Sequence, residues 1–408
     1  MKEGDSRIRR FYLFRALTSF ALWMPFWTLW AYEKLDSVFL ITVVDAAFWT
    51  TMIGFQIPAG LISDKYGRRA ALLLGEVLFS VGVLTFGLST EFWQYIASNF
   101  IWALGVCFIV SGDTPFMYDT LLELKRANEF TVVMFNATVV MYVTNAVACA
   151  IGGLLVQQTG RLDLPLIIAP SIAIMGSMTV FALKEPKVDR SSIGSYRSHL
   201  KEGLKHVRNS RAIIILILFL IVIEVGVYVM MIFRSIYMYE DLDLDYLTIG
   251  LLICSFLIVG AVIIRFTRKI EEILGEKGSL LFLYAAVFVS FVVVFVVRAP
   301  VAIVTQYPIY VVAGIQGPII FGYINQRVDS EHRSTIVSIA TFMFTAVLVA
   351  VEVLAGFLAS AWGLIESLFV LTLATAPIAV ILLLLWSREI DREKKARLDA
   401  SWERTALD

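Results

Sequence analysis

Four acids and one base stand in stretches that are otherwise apolar: Asp45, Asp113, Glu224, Glu352 and Arg234. A charge held at the centre of a bilayer costs about 2.5–3.5 kcal/mol or more, so such a residue is paired, neutralised or functional. Glu224 is the deepest. Residues Ala212–Ile223 before it and Val225–Phe233 after it are all apolar, which places it roughly 18 Å along a helix rising 1.5 Å per residue. A carboxyl at that depth suits proton carriage or the binding of a cationic solute, with a protonated acid bonded to a neighbouring helix as the structural alternative. Asn136, Asn145 and Gln316 also lie in apolar runs and would either orient a substrate or bond helix to helix. Trp23, Trp27 and Trp30 follow one another at i, i+4 and i+7, one face of a helix. That face is either an aromatic wall for an amphipathic or cationic organic solute or a lipid-facing stripe.

Other chemistries lack their residues. The histidines His199, His206 and His332 fall in polar stretches without metal-ligand spacing, and Cys107, Cys149 and Cys254 sit in apolar runs as small hydrophobes. No catalytic constellation, metal site or cofactor site is expected, and the chain is not expected to be an enzyme. There is no G-x-x-x-x-G-K-[ST] loop to bind nucleotide. Formal net charge is zero over 408 residues, so no overall field draws the chain to nucleic acid.

The elements carrying these residues follow from composition. Hydrophobic residues make up 59% of the chain and charged ones 17%, against about 25% charge in a soluble domain. Lipid must therefore cover much of the surface. A crossing needs about 20 apolar residues, and twelve runs qualify: 11–32, 38–63, 70–88, 92–118, 130–156, 164–183, 212–239, 246–264, 278–297, 299–326, 334–358 and 367–387. The ninth and tenth are divided at Arg298-Ala299-Pro300. The runs are apolar on every side rather than alternating, so they read as helices and not barrel strands.

With the N-terminus placed in the cytoplasm, the external loops hold Lys34, Arg161 and Arg298, helices hold Arg15 and Arg234, and the rest of the 34 Lys and Arg fall on the cytoplasmic side. That asymmetry obeys the positive-inside rule and predicts a multi-pass protein of the plasma (inner) membrane with both ends cytoplasmic. The polar stretch 184–211 divides the chain into residues 1–183 and 212–387, six crossings each, followed by a cytoplasmic tail, 388–408, read as a solvated helical extension.

Between the second and third runs stands Gly60-Leu-Ile-Ser-Asp64-Lys65-Tyr-Gly67-Arg68-Arg69. Gly67 supplies the backbone freedom to reverse the chain, and Asp64 lies beside three bases. The stretch resembles the signature of the major facilitator superfamily, G-x-L-[SA]-D-[RK]-x-G-R-[RK], with Ile62 departing from it, and it lies in the loop where that family carries it. The resemblance implies an all-α membrane fold of twelve transmembrane helices in two pseudo-symmetric six-helix bundles. It implies that the hairpin is a cytoplasmic latch in which Arg68 pairs with an acid at the end of the fourth helix; Asp119 is nearer the loop, which leaves Asp113 to the cavity. Pro115 is expected to break or kink that helix between them. The second-half counterpart is degraded to Gly275-Glu276-Lys277.

In this family helices one, four, seven and ten line the cavity, which puts Glu224 in its wall. The outer tips of helices two and seven approach each other when the cavity opens inward, so Asp45 and Arg234 are read as a gate, or Arg234 snorkels to the headgroups. Glu352 is a further candidate in the outer half of helix eleven. Arg15 and Glu76 read as snorkelling and as paired to a loop base. The expected function is secondary active transport of a small organic solute by alternating access, as a monomer, with proton-coupled export first. Proton-coupled uptake, or a non-transporting sensor on the same fold, is the alternative. Asn99 in helix four, and Gly152-Gly153 without a preceding proline in helix five, depart from the proton-driven drug exporters of the family.

Overall fold

A computed structural model describes residues 3–186, 205–329 and 332–405. They form thirteen main helices joined by short turns: α1 Glu3–Thr18, α2 Trp27–Leu35, α3 Val38–Tyr66, α4 Arg68–Leu88, α5 Phe92–Glu123, α6 Phe130–Thr159, α7 Leu164–Met178, α8 Arg211–Ile236, α9 Tyr246–Ile263, α10 Thr267–Val296, α11 Gln306–Gln326, α12 Arg333–Trp362 and α13 Leu364–Thr405. Among the described residues there is no strand. Helix starts are fixed by local hydrogen bonds. Ser37, Ser210 and Asp245 accept from the backbone amides of Leu40, Ile213 and Thr248, and Glu91 with Gln94 forms a capping box at α5.

Ten helical stretches among the described residues are long and apolar enough to cross a membrane. Two facts raise the count of crossings to the expected twelve. The stretch Tyr246–Val296 is 51 residues long, far beyond one crossing, and Gly275 inside it turns the chain at φ 63°. The first crossing is split. The run 11–32, expected as one helix, breaks into α1 and α2 because Pro25 has no amide and its ring clashes with the carbonyl four residues back. The chain passes from Thr18 to Trp27 through short turns in which Leu22, Met24 and Phe26 bond to Phe20, Ala21 and Trp23. The N-terminal α1 begins well before the apolar run, and α13 extends as one helix to Thr405, so most of residues 388–408 continue the last crossing. Most of the segment 184–211, with His199, lies outside the described residues.

The first six crossings (α1–α7) meet the last six (α8–α13) along two seams. In one, α3 lies against α12: the Phe39 amide donates to Ser360 Oγ at 3.1 Å, and a Cβ on Gly356 would run into the Thr42 side chain. In the other, α6 lies against α9 with Gly153 and Gly250 in backbone contact; a Cβ on Gly250 would come 2.6 Å from the Cys149 carbonyl. The α3–α12 contacts lie towards the face opposite the Gly60–Arg69 hairpin, whose own side is the basic face. No residue from 38 to 49 of α3 is exposed, whereas residues 50, 54, 55, 57, 58, 61, 62, 65 and 66 are exposed along its remainder, those at 50, 54, 57, 58, 61 and 65 in one stripe.

Candidate functional site

The hairpin cluster is built on Arg68. Its guanidinium lies 2.7 Å from Asp64 and 3.7 Å from Asp119, and Nη1 donates to Ser63 Oγ and to the carbonyl of Ser111, both at 3.3 Å. The expected Arg68–Asp119 pairing is thus shared with Asp64. Pro115 explains the Ser111 contact. It does not break α5, which runs unbroken through it; lacking an amide, it leaves the Ser111 carbonyl without its helical partner. Arg68 and the Ser63 hydroxyl fill that vacancy. Gly60 faces Ser111, and Lys65 is exposed above the Tyr66 ring.

Glu185, not singled out from sequence, grips the same hairpin. Its two carboxylate oxygens accept from the backbone amides of Arg68 and Arg69, each at 2.8 Å, so a carboxylate caps the positive end of α4. Arg69 reaches the Phe181 carbonyl and ring. Gly67 makes the turn at φ 104°, and a Cβ there would come 2.9 Å from Glu185. Alanine at Gly67 should therefore cost about 1–3 kcal/mol of backbone strain, read as a lower midpoint for thermal unfolding in detergent, with Glu185→Ala restoring none of it.

The second half carries the counterpart with its charges reversed. Gly275 turns the chain as Gly67 does. The residue after it is an acid, Glu276, paired at 2.9 Å with a base, Arg327, at the end of α11. Arg327 also bonds Glu393 at 2.8 Å and lies over the Trp386 ring, so the extension of α13 closes the cluster. Sequence similarity could not reveal this pair, because exchanging acid and base preserves the attraction while erasing the motif.

Deeper in the first half, Arg15 does not snorkel. It pairs with Asp113 at 2.7 Å, and Glu76, 2% exposed, faces both. Two buried acids and one half-buried base thereby meet between α1, α4 and α5. In the second half, Glu224 on α8 faces Gln316 on α11, which brings the two candidates together. Asn136 is exposed on α6, and Asn145 is half-buried with an unpartnered carbonyl oxygen.

The Asp45–Arg234 gate is not formed. Arg234, 6% exposed, bonds the Tyr310 hydroxyl and lies beside that ring. Asp45 accepts instead from the Trp49 indole at 3.1 Å and the Tyr228 hydroxyl at 2.8 Å, both on Oδ2. On its other side it meets Glu352 of α12. Tyr228 stands on α8 between the two expected partners and takes the place Arg234 would need.

The tryptophans do not form one stripe, because Trp23 falls in the break between α1 and α2. Trp23 packs edge-on to Trp102 with centroids 4.6 Å apart, Trp27 packs on Phe86, and the Trp30 indole donates to the Phe86 carbonyl. These rings tie the first crossing to α4 and α5. Among the described residues no group of His, Cys, Asp and Glu is placed to hold a metal ion.

Comparison with known proteins agrees with this architecture. The chain is 22% identical to YxaM, an uncharacterized MFS-type transporter of Bacillus subtilis, over 96% of this chain and 98% of that one. It is 25% identical to Multidrug resistance protein 1 of the same organism over 60% of this chain and 62% of the relative. Among solved structures, a bacterial homolog to the human lysosomal transporter Spinster superposes with a TM-score of 0.78 at 11% identity, covering 95% of this chain and 98% of that chain. The nucleoside transporter NupG gives 0.75 at 11% identity, over 93% of this chain and 99% of that chain. Residues 11–351 match the sequence profile of the Major Facilitator Superfamily. Twelve crossings, the Arg68 hairpin between the second and third of them and a match over most of the length leave one placement: this chain is a transporter of the Major Facilitator Superfamily.

Proposed function

We propose that this chain exports a small organic solute from the cytoplasm, driven by protons, by rocking its two six-crossing halves about a site near the middle of the membrane. The observation that carries the reading is the uneven seam. Phe39, Thr42 and Asp45 of α3 are packed against α12, while the rest of α3 towards the basic face carries an exposed stripe. A pair of halves closed at one end and parted at the other is one of the two states that alternating access requires. The basic face is assigned to the cytoplasm by its Lys and Arg, which makes this the inward-facing state.

Similarity to Multidrug resistance proteins 1 and 2 of Bacillus subtilis supports export. Glu224, half-buried on α8 and facing Gln316, is the carboxyl best placed to meet a cationic solute or a proton in the cavity. The test is accumulation of a fluorescent organic cation, ethidium, in energised cells, with and without a protonophore. Expression should lower accumulation about tenfold or more, and the protonophore should abolish the difference. Accumulation raised by expression would overturn export. Glu224→Gln, which keeps size and hydrogen bonding, should flatten the pH dependence of flux in proteoliposomes; an unchanged profile removes Glu224 from the coupling role.

A further inference from the structure

A second carboxyl site lies where the halves touch. Asp45 belongs to the first half and Glu352 to the second, and their carboxyl groups face each other across the seam. Asp45 is 5% exposed and Glu352 is 0% exposed. Neither Glu352 oxygen has a hydrogen-bond donor among the described residues. Of the elements packed on α3 and α12, only α8 brings another ionisable group to the pair, Tyr228; α2, α4, α5, α11 and α13 bring none among the described residues. Arg234, further along α8, is engaged with Tyr310.

Two ionised carboxylates in contact, out of water and without a counter-ion, repel too strongly for both to keep their charge. The donors decide how the charge is divided. Asp45 Oδ2 receives the Tyr228 hydroxyl and the Trp49 indole, which suits an ionised acceptor. Glu352 has no donor of its own and must supply one. We propose that Asp45 and Glu352 form a proton-binding site across the seam, with the proton carried by Glu352 and donated to Asp45, so that each closure of the seam takes up one proton. When the halves part, the acids separate, water reaches both, and the proton is released. Proton binding and seam closure are then linked, and each favours the other.

This inference rests on the rocking reading, and one experiment separates the two. Spin labels are placed on cysteines at Thr90 and Val301, exposed positions in the first and second halves near the closed face, with Cys107, Cys149 and Cys254 replaced by alanine. Distances are measured in nanodiscs from pH 5 to 9. Two distances are expected, with the closed population rising up to tenfold per unit fall in pH through the titration. Glu352→Gln, which carries a fixed donor to Asp45, should hold the seam closed with no pH dependence, and Asp45→Asn should likewise flatten the profile. A single distance under every condition overturns rocking. Two distances in fixed proportion at all pH values, or a Glu352→Gln profile matching the parent, overturn the proton site alone. Exchange of sodium for choline should leave the populations unchanged; a shift at constant pH would show that the pair binds a metal cation instead.

Discussion

Leucine at Gly356 should abolish transport while leaving the protein folded. The site lies on α12 where Thr42 of α3 presses so close that even a Cβ would collide with it. The collision exists only while the seam is shut. Overpacking a close contact costs up to about 3 kcal/mol, and a cost confined to one of two states depopulates it roughly a hundredfold. The leucine variant should therefore accumulate with the seam open. Flux should fall to background, thermal stability should change little, and the seam should admit a thiol reagent from the closed face at a cysteine placed at Phe39. Gly356→Ala should give an intermediate flux. A leucine variant that transports normally would show that α3 and α12 need not meet.

Arg68→Ala is the second large effect. The guanidinium bonds Ser63 and the Ser111 carbonyl and pairs with Asp64 and Asp119. It is 16% exposed and its two acids are 28% and 13% exposed, so its loss is less severe than breaking a fully buried pair. About 2 kcal/mol is expected, enough to move an equilibrium more than tenfold. Lysine should not restore function, because one ammonium cannot span four acceptors fixed for a planar fork. Flux and thermal unfolding measured together check this: alanine and lysine should both lower flux about tenfold. If lysine behaves as the parent, a single positive charge suffices and the fork geometry is irrelevant. Pro115→Ala, which returns an amide to Ser111, should show a milder form of the same loss.

What could be read in advance follows from what hydropathy measures. It reports transfer into lipid, so all twelve crossings were visible as apolar runs. It does not report continuity. The run 11–32 is apolar throughout most of its length, yet Pro25 divides it, and the charged stretch 265–277 that separates two runs is itself helical on both sides of the Gly275 turn. The hairpin was legible because its glycines, acid and bases act locally, within ten residues. Partners drawn from distant helices were not. Asp45 and Arg234 are opposite charges on helix ends expected to approach, but the register of α8 puts Tyr228 at Asp45 and turns Arg234 to Tyr310. Glu185 stands in a polar stretch whose composition gives no hint that its carboxylate caps α4. Glu276 and Arg327 escaped because their order of charge is the reverse of the motif sought.

In the proposed rocking cycle, transport requires the seam between α3 and α12 to part each time. The Phe39 amide and Ser360 hydroxyl, 3.1 Å apart across it, give the most direct handle. Cysteines at Phe39 and Ser360, in a background without the native cysteines, should oxidise to a disulfide in proteoliposomes. Flux of ethidium should then stop and return in full on reduction. Undiminished flux through fully cross-linked protein would contradict the account, because solute would be crossing with the seam permanently shut.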